Sequence, residues 1–158
     1  MDQSMYTIGV VLAVLLLLVS VNSTYQYLKV MKVTLIQWIM FNSCVVGNVF
    51  YLIGFGIFIL TQDKTCLAIG ILPMLFFGTM GLFVFPWQGA IDKIIQFSHI
   101  IMTLNIVWSI CAMIKSDDYQ ALALGLLIGL VIFVPFIACQ QFYAKTHPED
   151  LHRILGIE

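Results

Sequence analysis

The sequence predicts an all-α membrane protein with about five transmembrane helices. Of its 158 residues, 61% are hydrophobic and only 9% are charged, whereas soluble domains carry roughly 25% charged residues. The hydrophobic residues form runs of about 20, the length that crosses a hydrocarbon core of roughly 30 Å. A soluble fold of this size cannot hide so much apolar surface. We therefore expect lipid, not water, to surround most of the chain.

The expected spans are the apolar runs that contain no Asp, Glu, Lys or Arg. They are 5–25, 33–60, 65–85, 94–114 and 119–140. Because the connectors between them are short, neighbouring helices are expected to run antiparallel. The chain then divides into a transmembrane domain, 1–141, and a polar tail, 142–158. A capping box formed by Thr146 and Glu149, with Leu151, Ile154 and Leu155 on one face, predicts a short amphipathic helix in that tail.

The cations are divided unevenly between the two sides of this bundle. One side holds Lys64 and Lys115, and the other holds Lys29, Lys32, Lys93, Lys145 and Arg153. Because cytoplasmic loops are enriched in Lys and Arg, the N-terminus is expected outside and the C-terminus in the cytoplasm. In a prokaryote this predicts a multi-pass protein of the plasma membrane.

The charges and cysteines exclude several classes of function. A net charge of −1 and seven scattered cations argue against nucleic-acid binding, which requires clustered cations. The cysteines form no CxxC pair, so neither a zinc site nor a disulfide framework is indicated. They are Cys44, Cys66, Cys111 and Cys139. Cys66 and Cys111 both approach the predicted outer surface, which leaves a disulfide between them open.

Small residues predict where helices pack closely. Ala121, Gly125 and Gly129 recur every four residues in the fifth span, and Gly70 and Gly78 lie on one face of the third. Such faces allow close approach between membrane helices. Since five helices rarely enclose a transport path alone, we expect a homo-oligomer or a partner membrane subunit, with the face of the fifth span as its candidate contact.

Polar residues concentrate in the predicted cytoplasmic half of the spans. This predicts a polar cavity that binds a small solute or a lipid headgroup. The alternative is that helix ends are polar because they enter the headgroup region. The candidate ligand-binding residues are His99, Asn42, Asn48, Asn105 and Ser98.

His99 is the one histidine in the spans, and its ring could accept a proton, donate a hydrogen bond to a substrate or ligate haem. Bis-histidine haem ligation would need a second histidine from another chain. Alternatively, His99 has a structural role through a hydrogen bond to Asn42. Asn48 and Asn105 should lie at similar depth, so a direct hydrogen bond between them is also open.

Three functions remain after these exclusions. The first is binding or transport of a small solute or lipid, the second is a structural or anchoring subunit of a membrane complex, and the third is a membrane-embedded enzyme that uses His99. Asp92 and His99 share a helical face but lie about 10 Å apart along the axis. No cofactor is indicated by any motif.

Overall fold

The structure is a computed structural model that describes residues 2–84 and 86–155, without the side chains of Ala90, Ile91, Leu151 and Leu155. Within this part of the chain the regular elements are all helices. In order they are α1 (Gln3–Tyr25) with a π-helical extension (Gln26–Val30), α2 (Leu35–Phe41), α3 (Ser43–Thr61), α4 (Lys64–Met74) with a π-helical segment (Leu75–Thr79), α5 (Met80–Val84), α6 (Ala90–Lys115), α7 (Tyr119–Thr146) and α8 (Pro148–Leu155).

Five helical stretches are long and apolar enough to cross a membrane, as the sequence predicts. The chain is thus an integral multi-pass membrane protein. The stretches are Gln3–Val30, Ser43–Thr61, Lys64–Val84, Asp92–Lys115 and Tyr119–Thr146.

Several predicted span boundaries differ from the structure, and the first span continues as a π-helix to Val30 instead of ending at 25. The second span, predicted as one helix over 33–60, is broken at Asn42 into α2 and α3. The fifth was predicted to end at 140, but α7 continues to Thr146 and so passes through the predicted domain boundary at 141. The predicted end of the third span, Phe85, lies outside the described residues.

Two ion pairs place three parts of the chain at one end of the bundle. Lys115 Nζ lies 2.6 Å from Asp2 Oδ2, and Lys64 pairs with Asp118. The N-terminus, the α3–α4 connector and the α6–α7 connector therefore lie together, as expected for antiparallel neighbours. Which end faces the cytoplasm stays a prediction.

The three central helices of the bundle are α3, α4 and α6. In the most apolar part of α6, 50% of the residues are buried, compared with 17% in α7. Tyr51, Leu67 and Ile71 belong to the fully buried core. The outer surfaces of α1 and α7 are lined with large apolar side chains, which suits contact with lipid.

The small face of α7 packs on α4 of the same chain. A Cβ added at Gly125 would lie 2.7 Å from the Thr65 carbonyl oxygen, and one added at Gly129 would lie 3.1 Å from that of Ile69. Ala121 is half-buried on the same helix. This face is occupied by α4 of the same chain, so the oligomer that the sequence predicts would have to use another surface.

The glycines of the third span pack against two different helices. A Cβ at Gly70 would lie 2.6 Å from Tyr51 Cα in α3, and one at Gly78 would lie 2.9 Å from Met102 Cβ in α6. These glycines allow the third span to lie close to both of its central neighbours.

The tail helix α8 forms without the capping box that the sequence predicts. Thr146 belongs to α7, and its hydroxyl donates to the Phe142 carbonyl at 2.9 Å. Ile154 is buried, and Arg153 pairs with Asp150 at 3.0 Å. The side chains of the other two residues of the predicted apolar face, 151 and 155, lie outside the described part of the chain.

Candidate ligand cavity

The break in the second span is stabilised by three side chains. Asn42 has a non-helical backbone (φ −116°, ψ 59°), and its Oδ1 accepts from Val45 N at 3.4 Å, which caps α3. Gln140 of α7 donates from Nε2 to the Ile39 carbonyl at 2.7 Å. The Ser43 hydroxyl donates to Gln140 Oε1 at 2.8 Å. Polar groups on both sides of the break thus have hydrogen-bond partners within the bundle, which backbone groups inside a membrane require.

A cavity of about 540 Å³ lies beside this break, among α1, α3, α5 and α6. Its size is within the range of roughly 300 to 1,000 Å³ that is typical of small-molecule sites. Asn42, Asn48, Ser98 and His99, four of the five predicted ligand-binding residues, line it. The fold therefore brings most of the candidate site together.

The cavity wall changes from polar to apolar. Asn48 and His99 are only 2% and 3% exposed. Phe76, Met80 and Val84 also line the cavity and are exposed on the outside of the bundle, Val84 by 70%. The most deeply buried polar groups therefore lie at the inner end, and the apolar wall reaches the outer surface of the bundle, which suits contact with lipid.

His99 contacts a cysteine instead of its expected partner, Asn42. Its Nε2 lies 3.6 Å from Cys44 Sγ. A Cβ added at Gly81 would collide with the same imidazole edge. The ring is thus held between α3 and α5, facing the cavity.

Asn42 itself bonds to α1. Its Nδ2 donates to Ser23 Oγ at 3.4 Å. The structural alternative from the sequence, a hydrogen bond between His99 and Asn42, is therefore not formed, although both residues line the cavity.

Asn48 and Asn105 do not bond to each other as the sequence left open. Asn48 Nδ2 donates to Ser20 Oγ at 3.0 Å, and Asn105 Nδ2 donates to the carbonyls of Leu12 (3.1 Å) and Ile101 (2.9 Å). Asn105 is absent from the described cavity wall, so it joins α6 to α1 and is removed from the site. Within the described residues Asn48 Oδ1 is buried without a hydrogen-bond partner.

Of two other polar residues of α6, Ser98 lines the cavity and Asp92 does not. Ser98 is half-buried in its wall, with its hydroxyl donating to the Ile94 carbonyl at 3.2 Å. Asp92 accepts from Gly89 N at 2.8 Å at the start of α6 and does not belong to the described wall. The Asp92–His99 pair that the sequence offered for an enzyme is therefore not part of this site.

Cys44, Ser43, Ser23 and Tyr27 also line the cavity but were not among the predicted ligand-binding residues. A signal was present, because Asn and Ser favour helix N-termini, and Asn42-Ser43 therefore places Cys44 in the first turn of a new helix. The partner of Ser43 on α7 had no local signal.

The described lining residues include no Asp, Glu, Lys or Arg. Over residues 2–84 and 86–155 no group of three or more His, Cys, Asp or Glu residues could hold a metal ion. The four cysteines carry free thiols, so Cys66 and Cys111 are not paired. The cavity thus offers neutral hydrogen-bonding groups, one imidazole, one thiol and one phenol.

Comparison of the chain with known protein families, with curated proteins and with solved structures found no match.

Proposed function

We propose that this protein binds a lipid-like amphiphile with an uncharged headgroup in the cavity beside Asn42. The headgroup lies among Asn48, His99 and Ser98, and the apolar chain passes over Phe76 and Val84 into the bilayer. The observation that carries the proposal is the buried, unpartnered Oδ1 of Asn48 at the polar end of a cavity whose other wall is exposed to lipid.

The polar end of the cavity favours a ligand that donates a hydrogen bond. A buried acceptor without a partner costs about 1 to 3 kcal/mol. A ligand hydroxyl or N–H next to Asn48 would remove that cost, and the thiol and imidazole nearby can donate or accept further bonds.

The lack of charged groups in the described wall supports a neutral headgroup. A charged group in the membrane interior normally faces an opposite charge or a water-filled path. Here His99 is the sole basic side chain among the described lining residues. An inorganic ion or a multiply charged solute fits this wall less well than a hydroxyl or amide headgroup.

A second candidate function is movement of the same amphiphile across the bilayer. The broken second span and the π-helical segment at Leu75–Thr79 favour it, because interrupted helices are common at transporter sites. Reconstitution into vesicles with a fluorescent neutral lipid would test it. Faster exchange between leaflets than in vesicles without protein supports movement, and an equal rate limits the function to binding.

The binding proposal is tested by lipid retention. The full chain is purified in a mild detergent, and co-extracted lipids are quantified per mole of protein by mass spectrometry. The Asn48→Leu variant should retain about tenfold less of one lipid class, which corresponds to about 1.4 kcal/mol.

The matched control is Asn105→Leu, which removes an equally buried amide outside the cavity. It should lower stability but leave the lipid bound per folded molecule unchanged. Equal loss of lipid in both variants, or no specifically retained lipid in the parent protein, would overturn the proposal.

A further inference from the structure

Cys44 and His99 form a thiol–imidazole pair in the wall of the cavity. Cys44 Sγ lies 3.6 Å from His99 Nε2, and both residues line the cavity. In enzymes, a nucleophile and its general base usually lie within hydrogen-bond distance of each other, and this distance is often longer before the substrate binds. The Phe77 carbonyl is a second acceptor within reach of the thiol, at 3.8 Å from Sγ. When the thiol hydrogen points to His99, the shorter distance suits transfer of the proton to the imidazole.

The break at Asn42 places Cys44 at the N-terminus of a 19-residue helix. The first intrahelical bond of α3 runs from Val46 N to the Asn42 carbonyl at 3.1 Å, so the Cys44 amide lies in the turn whose N–H groups have no helical acceptor. Helix N-termini favour a thiolate, and their N–H groups can stabilise an oxyanion. The continuous helix that the sequence predicts over 33–60 would have lacked both features.

The imidazole is also confined by α5. Gly81 leaves room for the ring where any side chain would collide with Nε2, so the ring lies against the backbone of that helix. A base that is held next to a thiol is the usual arrangement for nucleophilic catalysis. The cavity then offers an apolar wall next to the thiol for a bound chain.

We propose that Cys44 accepts a long-chain acyl group from an acyl thioester. This inference rests on the proposed function, because the acyl chain occupies the cavity assigned to the amphiphile. Cys44 Sγ attacks the carbonyl carbon while His99 Nε2 takes the thiol proton. The new C–S bond forms, the C–S bond of the donor breaks, and His99 returns the proton to the departing thiolate. One thioester and one thiol give one thioester and one thiol, so no oxidant or reductant is needed.

The other cysteines provide an internal comparison. Cys111 and Cys139 are exposed, whereas Cys44 is partly buried. If accessibility alone decided reactivity, the exposed thiols would react first. If His99 and the helix N-terminus activate the thiol, Cys44 reacts first despite its burial.

The test uses the full chain in detergent micelles with palmitoyl-coenzyme A. Intact mass, peptide mapping and release by neutral hydroxylamine report which cysteine carries a thioester and how fast it forms. We expect Cys44 to be acylated before Cys139, and His99→Gln to slow this reaction about 100-fold, as for loss of a general base. The Cys139→Ser control should leave the rate at Cys44 unchanged.

Two outcomes overturn the inference: acylation in the order of exposure, with Cys44 last, or an unchanged rate at Cys44 in His99→Gln. The comparison of thiols within the parent protein needs no variant, so it stands even if His99→Gln folds poorly. Retained lipid without a Cys44 thioester overturns this inference and leaves the binding proposal intact. A Cys44 thioester in protein that retains no free lipid supports this inference and overturns the binding proposal.

Discussion

Gln140, near the end of α7, accepts a 2.8 Å hydrogen bond from the hydroxyl of Ser43, the first residue of α3. The same amide donates to the Ile39 carbonyl on the other side of the helix break. One side chain from the fifth span therefore holds both halves of the second span. Because Cys44 and Asn42 flank Ser43, this contact also fixes the polar end of the cavity.

The first prediction concerns this clamp. Gln140→Leu leaves the Ile39 carbonyl and the Ser43 hydroxyl without the amide, and should lower the free energy of unfolding by about 1 to 3 kcal/mol. Lipid retention should fall as well, because the start of α3 is released. Unfolding in detergent, followed by circular dichroism, measures the first effect. The control is Gln141→Leu, at an exposed neighbouring position, and equal losses in the two variants would contradict the role of the clamp.

The number of spans could be predicted from the sequence because the thickness of the hydrocarbon core sets the length of an apolar run. The break at Asn42 could not be predicted in the same way, since 33–60 contains neither a charge nor a proline. Hydropathy averages over such a run and does not respond to one residue that prefers a cap. The contact with Gln140, far away in the sequence, adds to the cap at Asn42 and makes the break favourable inside the bundle.

The grouping of the candidate site residues was more predictable than their partners. His99, Asn42 and Asn48, which the sequence predicts to bind a ligand together, line the same cavity. Asn105 turns toward α1 and bonds to the Leu12 carbonyl. The direction in which a helix faces depends on packing with its neighbours, and a single apolar sequence contains little of that information.

The second prediction concerns Gly81, where a substitution should impair the site but leave the stability of the fold nearly unchanged. Gly81→Ala introduces a Cβ that collides with the His99 ring, and the ring must leave its present position beside Cys44. Stability should change by less than about 1 kcal/mol, since alanine favours the helix by about 0.5 to 1 kcal/mol. Acylation of Cys44 and lipid retention should both fall.

Gly56→Ala is the matched control for this change, because a Cβ at Gly56 would meet no other atom within 4 Å. It should be neutral or slightly stabilising and leave the site unaffected. If Gly81→Ala keeps full lipid retention and an unchanged acylation rate, the position of the His99 ring does not matter to the site.

The third prediction concerns the contact between α7 and α4. Gly125→Leu forces a large side chain against Ala68 and the Thr65 carbonyl and should destabilise the fold by about 1 to 3 kcal/mol or more. Ala123→Leu, on the exposed side of the same helix, should have little effect. Size-exclusion chromatography with light scattering should show the same oligomeric state for Ala123→Leu and the parent protein. A change of oligomeric state in Gly125→Leu without loss of stability would indicate that this face contacts another chain after all.

The fourth prediction concerns the end of the bundle where Lys64 meets Asp118. The hydrogen bond from Lys64, and next that from Ser116, lowers the pKa of Asp118 below its usual value of 3.8. A carboxyl whose pKa is lowered by folding stabilises the protein while it is ionised, and this contribution disappears as the pH falls through the folded-state pKa. Stability should therefore be constant near neutral pH and decline below about pH 4. The bond from Lys115 lowers the pKa of Asp2 at the same end and acts in the same direction.

Thermal unfolding in detergent between about pH 7 and pH 3 measures this dependence. Asp118→Asn should lower the melting temperature at neutral pH and make the decline in acid shallower, because the ion pair is already lost. Asp117→Asn changes a neighbouring carboxyl in the same connector and should reproduce the parent curve. An acid decline of equal size in Asp118→Asn would mean that other carboxyl groups govern acid unfolding and that the two connectors are held together by helix packing alone.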